Sequence, residues 1–281
     1  MIVLINLDIS NIRGSLSKMG AKFNEEKGFK VSDKDEFKMV LDTLNKYNMP
    51  TNNFNNNLSS LAIRNISEEP NESMIVTEGS YDALNNTINY LGTFEDLIHE
   101  LFHMSSNKID STRNMGMMFE KNGRRIGISI NEGITDLFTS YTVKNYDFKY
   151  PIEALFVQLL SEVYSDSLFK YHFLEKPRAF YDCFKEDMQS MSQIIVKLDD
   201  FSSSIGGNVH MSREKFIDFC TSYLELMYKK GELIVKDHFD RFKSMFINGK
   251  GNIERIKSMF NVDINEMFDS IYENCLGSTR R

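Results

Sequence analysis

His99, Glu100 and His103 stand in the run Thr93-Phe-Glu-Asp-Leu-Ile-His-Glu-Leu-Phe-His-Met104 and form the pattern H-E-x-x-H. Leu97, Ile98, Leu101 and Phe102 recur there at helical spacing, so the run reads as a helix with both histidines on one face. Imidazoles four residues apart can converge on one divalent ion, zinc above all, without unwinding the helix. Glu100 then sits beside the ion rather than on it, where its carboxylate can take a proton from a water that the ion activates. Thr93 with Asp96 reads as a capping box that starts the helix just ahead of these residues. The histidines interrupt an otherwise apolar helix, and buried imidazoles need partners.

Two histidines do not close a catalytic zinc site, which ordinarily has three protein ligands and one open position. The segment Asn131-Glu-Gly-Ile-Thr-Asp136 can supply the remainder. Glu132 offers an oxygen ligand at the start of a helix, with Asn131 as its N-cap and Gly133 allowing helices to approach closely. Asp136, one turn further along, can accept a hydrogen bond from the non-ligating nitrogen of a metal histidine and fix its tautomer.

His99-Glu-Leu-Phe-His103 followed by Asn131-Glu-Gly-Ile-Thr-Asp136 resembles the gluzincin zinc metallopeptidases, the thermolysin-like group, over roughly residues 74 to 142. The resemblance implies that His99, His103 and Glu132 bind Zn2+, that Glu100 is the general base and that Asp136 supports a ligand from behind. It further implies a small N-terminal sheet whose edge strand binds substrate, and a mostly helical C-terminal part. Ser106 and Ile109 stand where an H-E-x-x-H-x-x-G-x-x-H site has its Gly and third His, which excludes that form. No Gly-x-Met-Glu-Asn stretch precedes the metal helix, so the amino-terminus recognition of zinc aminopeptidases has no support. The group that steadies the oxyanion in this family has no motif here; Tyr141, Tyr164, His172 and His210 are candidates. His210 ends the loop-like stretch Ser204-Ile-Gly-Gly-Asn-Val-His210. Tyr141 falls about half a turn off the face of Glu132 in an unbroken helix, which counts against it.

A chain of 281 residues with 41% hydrophobic content can bury a sizeable core in one large or two modest domains. Its net charge of −7, with no basic run beyond Lys229-Lys230 and Arg280-Arg281, argues against nucleic acid or an anionic membrane as partner. A peptide or protein substrate is easier to accommodate. Cys183, Cys220 and Cys275 are odd in number and widely spaced, so reduced thiols and a cytoplasmic location are expected. The apolar opening Met1 to Leu7 has no preceding positive region and is cut short by Asp8, unlike a signal peptide. No apolar run approaches the length of a membrane span.

The element pattern predicts an α+β protein. The opening residues, Leu61 to Ile66, Met74 to Glu78 and Thr87 to Leu91 read as strands of a small mixed sheet, with Asn85-Asn86 in the last turn. Ser32 to Tyr47 reads as an amphipathic helix, and the Asn-rich residues 52 to 57 as a loop. The strand ending at Leu91 feeds the metal helix and is expected at the edge of the sheet, beside the cleft. Met115 to Glu120 and Arg124 to Ile130 flank an Asn-Gly turn as a hairpin, and a second helix is expected near Asn131. Beyond Tyr150 five long stretches carry helical periodicity: Pro151 to Phe173, Pro177 to Leu198, Ser212 to Lys230, Leu233 to Phe246 and Ile253 to Leu276. Phe216, Phe219, Tyr223, Met227, Phe242 and Met245 read as core stripes there. The expected division is a zincin-like part over residues 1–145 and a helical part over 146–281.

The leading expectation is therefore a zinc metallopeptidase. A catalytically inactive relative that holds a structural zinc and docks a partner through its helical half is the alternative, and Glu100 speaks against it because a structural site has no use for a base. A hydrolase of non-peptide bonds would use the same zinc chemistry.

Overall fold

In the computed structural model, which describes residues 24–65, 79–90, 93–108, 116–121, 123–205 and 209–279, the two periodicities resolve into six short strands and twelve helices. The fold is α+β with a small mixed sheet. The chain divides into two units, residues 1–112 and 113–281.

In the first unit, β1 (Asn24–Lys27), β2 (Ala62–Asn65), β3 (Ser80–Asp82) and β4 (Thr87–Tyr90) form one sheet in the order β1-β2-β4-β3. The central pair β2 and β4 is parallel, and the two outer pairs are antiparallel. The strand that precedes the H-E-x-x-H helix is thus interior, which corrects the expectation of an edge strand; among the described residues β3 is the edge on that side. Its hairpin with β4 explains the difference. Asp82 accepts hydrogen bonds from the N–H groups of Leu84 (3.0 Å) and Asn85 (3.3 Å), and Asn86 takes a left-handed φ of 46°, so the chain turns back at once. The expected strands at residues 1–8 and 74–78 lie outside the described residues.

Helix α1 (Asp35–Lys46) buries Phe37, Val40 and Leu44, while Met39 and Leu41, which its periodicity also places in the core, are half-buried. The Asn-rich stretch is not a loop but helix α2 (Asn52–Leu58). Asparagine is a poor helix former, yet Phe54 and Leu58, one turn apart, are fully buried, and tertiary packing overrides the propensity. Helix α3 (Phe94–Ser106) carries the H-E-x-x-H residues and packs on α1, α2, β3 and β4.

The second unit opens with a hairpin of β5 (Phe119–Lys121) and β6 (Arg124–Ile126); Gly123 in its turn has φ +74°. Nine helices follow among the described residues: α4 (Ile128–Thr142), α5 (Pro151–Val163), α6 (Ser167–Phe173), α7 (Pro177–Asp182), α8 (Met188–Ser202), α9 (Val209–Lys230), α10 (Glu232–Asn248), α11 (Asn252–Phe260) and α12 (Ile264–Thr279). Three of the five predicted stretches are broken in two. The break before α12 has a local cause: Asn261 turns left-handed at φ 48°, and the Asp263 carboxylate caps the N–H groups of Asn265 and Glu266. Phe216, Phe219, Tyr223, Met227 and Phe242 are buried as expected, while Met245 is partly exposed. The three cysteines are free, and no helix among the described residues is long and apolar enough to cross a membrane.

Gly133 sets the spacing of α4 against α5. A Cβ there would lie 2.5 Å from the carbonyl oxygen of Glu153 and 2.6 Å from its carbon. Alanine is the better helix former by about 1 kcal/mol, but the obstacle is backbone and cannot rotate away. Gly133→Ala is therefore expected to destabilise the chain by about 1–3 kcal/mol, read as a lower urea midpoint with an unchanged slope.

Candidate metal centre

Helix α3 is pinned at both ends. Thr93 Oγ1 accepts a hydrogen bond from the Asp96 N–H at 3.2 Å, the cap expected from the sequence. At the other end Asn57 Nδ2, buried in α2, donates to the carbonyls of Met104 (2.8 Å) and Asn107 (2.7 Å). The hydroxyls of Ser105 and Ser106 turn back onto the carbonyls of Leu101 and His103. Asn57 thus takes up acceptors that a helix end otherwise leaves orphaned. No motif marks it, because its signal is a tertiary contact across 47 residues.

Between these anchors the Nε2 atoms of His99 and His103 lie 3.2 Å apart, with both residues buried. Ligands of a tetrahedral zinc at bonds of about 2.0–2.1 Å are separated by about 3.3 Å, so the pair already spans one edge of such a site. A bridging proton is the other way to hold two imidazoles this close, since two buried imidazolium ions would repel each other. The donor set fits a divalent metal. Glu100 is buried at 4% exposure on the same helix, and its carboxylate lies against Gly79 at the start of β3. A Cβ at Gly79 would meet Glu100 Oε1 at 3.1 Å and the Asn89 carbonyl at 3.2 Å, so glycine keeps the space that the carboxylate uses.

Glu132 and Asp136 belong to the second unit, on α4. Glu132 is partly exposed in the second turn of the helix. Asp136 is fully buried, and its carboxylate accepts from the Tyr146 hydroxyl at 2.5 Å and the Tyr150 N–H at 2.7 Å. Asn131 is not the N-cap. Helix α4 starts three residues earlier, after Gly127, which has φ +85°. The first-turn N–H groups are capped by Asp199 of α8, which accepts from Gly127 N–H at 2.8 Å and Ser129 N–H at 2.9 Å. Asn131 is instead buried, accepting from the Met117 N–H at 3.5 Å and standing against Gly116.

The candidates for an oxyanion group scatter. Tyr164 bonds Asp187 at 2.8 Å, and Asp187 in turn pairs with Lys230 at 2.5 Å, a structural trio; burial and that carboxylate push the Tyr164 hydroxyl above its ordinary range. Tyr141 packs edge-on against Phe138. His172 is buried against Phe173 and Gly116. His210 is in the first turn of α9 rather than in a loop, and its side chain lies outside the described residues.

Two further features of the second unit are weaker sites. Glu162, Asp237 and His238 come within 4.8 Å of one another, but Arg241 already holds both oxygens of Glu162 (2.5 and 3.0 Å), and His238 bonds Tyr223 at 2.8 Å. Their charges and lone pairs are spoken for. A cavity of about 620 Å³ is lined by Leu137, Tyr146, Phe148, Leu155, Met245 and Ile253, with no histidine in its wall.

Glu153 on α5 is a group that periodicity marks as core and nothing marks as chemical. It is 1% exposed and bonded to the Ser202 hydroxyl. Burial pushes its carboxyl up from 4.5 to about 7, the Ser202 bond opposes this, and the negative charges of Asp136 and Glu132 add to the rise.

Comparison of the chain with the families of known proteins, with curated proteins and with solved structures gives no match.

Two measurements check the supports. Asn57→Ala strips two buried carbonyls of their donor and is expected to cost about 1–3 kcal/mol of unfolding free energy. A carboxyl raised on folding stabilises fully below its unfolded value and loses that contribution as pH rises through the folded one. Glu153 therefore favours folding at pH 4 relative to pH 8.5 by roughly 3 kcal/mol, the whole change falling between 4.5 and about 7. Glu153→Gln is expected to remove this slope, so that its stability difference from wild type changes across that window in urea titrations at successive pH values.

Proposed function

We propose that this chain is a zinc-dependent metallopeptidase, cytoplasmic, that hydrolyses peptide bonds at a metal held by His99, His103 and Glu132. The observation that carries the reading is the 3.2 Å separation of two buried imidazole nitrogens on one helix face, with a buried carboxylate as the next residue. Glu132, followed four residues later by the buried Asp136, is the third ligand that the sequence pattern supplies. When bound, zinc would polarise the scissile carbonyl and lower the pKa of water toward neutrality.

The chain's own residues do the rest. Glu100 takes the proton of the attacking water and passes it to the leaving amine. Asp136, whose carboxylate is held by Tyr146 and Tyr150, is the residue that the sequence pattern offers as acceptor for the second nitrogen of a ligating histidine. Among the described residues β3 is the edge of the sheet beside Gly79 and Glu100, and it is the strand on which an extended peptide would pair. A purely structural zinc would leave Glu100 without a task.

Glu100→Gln is expected to retain one zinc per chain and lose peptide hydrolysis by at least about a hundredfold. His99→Ala and Glu132→Ala are expected to lose the metal itself, as mass spectrometric metal analysis of the purified chain would report. Turnover unchanged in Glu100→Gln would remove the base assignment. Full metal content in both ligand variants would remove the site.

A further inference from the structure

We infer that Asp199 is a positioning residue for Glu132: its carboxylate, carried by α8, fixes the first turn of the helix from which the proposed third ligand projects. The inference rests on the zinc-site reading and adds to it a residue outside both motifs.

Helix α4 cannot cap itself. Its N-cap position is Gly127, which has no side chain to accept a hydrogen bond and cannot acquire one. A Cβ there would meet the Met117 carbonyl at 2.8 Å and the Tyr181 hydroxyl at 3.1 Å, on a backbone with φ +85°. The orphan N–H groups of the first turn therefore need an acceptor from elsewhere. Asp199, 72 residues downstream, provides it: Oδ2 accepts from the Gly127 N–H at 2.8 Å, and Oδ1 from the Ser129 N–H at 2.9 Å and the Ser129 hydroxyl at 2.7 Å. The carboxylate is 7% exposed and stands at the positive end of the helix.

The clamp extends sideways. Ser129 Oγ lies 3.1 Å from Ser202 Oγ, and Ser202 bonds the Glu153 carboxyl, so two hydroxyls tie α4 to both α8 and α5. The turn so held is closed by the Asn131 N–H on the Gly127 carbonyl at 3.0 Å, and Glu132 is the next residue. A metal ligand that leaves a frayed turn has no fixed direction, and tight binding needs ligands held in geometry before the ion arrives.

An ordinary cap contributes to stability and nothing else. Zinc binding separates that role from positioning. Wild type, Asp199→Ala, Asp199→Asn and a core control, Phe242→Leu, would be titrated with zinc against a chelating indicator. The temperature is one at which circular dichroism shows each folded; cobalt absorption would report coordination geometry. Asp199→Ala is expected to bind zinc about 10- to 100-fold more weakly with an altered cobalt spectrum. Asp199→Asn keeps one acceptor oxygen and recovers part of the loss, and it carries the test should the alanine variant not fold. Phe242→Leu is expected to lose stability and keep wild-type affinity. Unchanged affinity and spectrum in both Asp199 variants would overturn the positioning role alone. Absence of stoichiometric zinc in wild type would instead overturn the site on which it rests.

Discussion

Two imidazoles buried 3.2 Å apart on one helix face are the constraint that the first unit is arranged to satisfy. Such a pair is tolerable only around a shared cation or a shared proton, and only if the helix does not slide or fray. Capping at one end by Thr93 and clamping at the other by Asn57 meet the second condition. The apolar side of α3, with Leu97, Ile98, Leu101 and Phe102, meets the sheet and the two preceding helices. Polar and apolar demands are thus divided between the faces and the ends of one helix.

In the second unit the recurring problem is a carboxyl group without water, and three neighbouring acids solve it differently. Asp136 is bonded by a phenol and a backbone N–H. Asp199 takes donors at the start of a helix, which oppose the burial that still holds its carboxyl above the ordinary value. Glu153 has one hydroxyl partner and two acidic neighbours, and so holds its proton close to neutrality.

What was legible in the sequence follows the range of the interaction involved. Helix α3, its Thr93 cap, the Asn-Gly hairpin and the helical second half rest on local periodicity and turn chemistry, and they were readable. Helix α2 was not, because its Asn-rich composition argues for turns and only the burial of Phe54 and Leu58 outweighs it. The place of β4 inside the sheet was hidden for a similar reason, since strand order depends on pairing rather than on sequence position. Asn131 looked like a cap because Asn usually is one; the true start at Gly127 depends on Asp199, an acceptor that no local window contains. Gly79 shows the same limit, as its meaning lies in a carboxylate 21 positions away that only folding brings alongside.

The interior position of β4 has a mechanical corollary. A strand hydrogen-bonded to neighbours on both sides cannot shift lengthwise without breaking two ladders at once, and only Leu91 and Gly92 separate it from Thr93. Helix α3, which packs on β3 and β4, is thus seated on the part of the sheet that is hardest to displace.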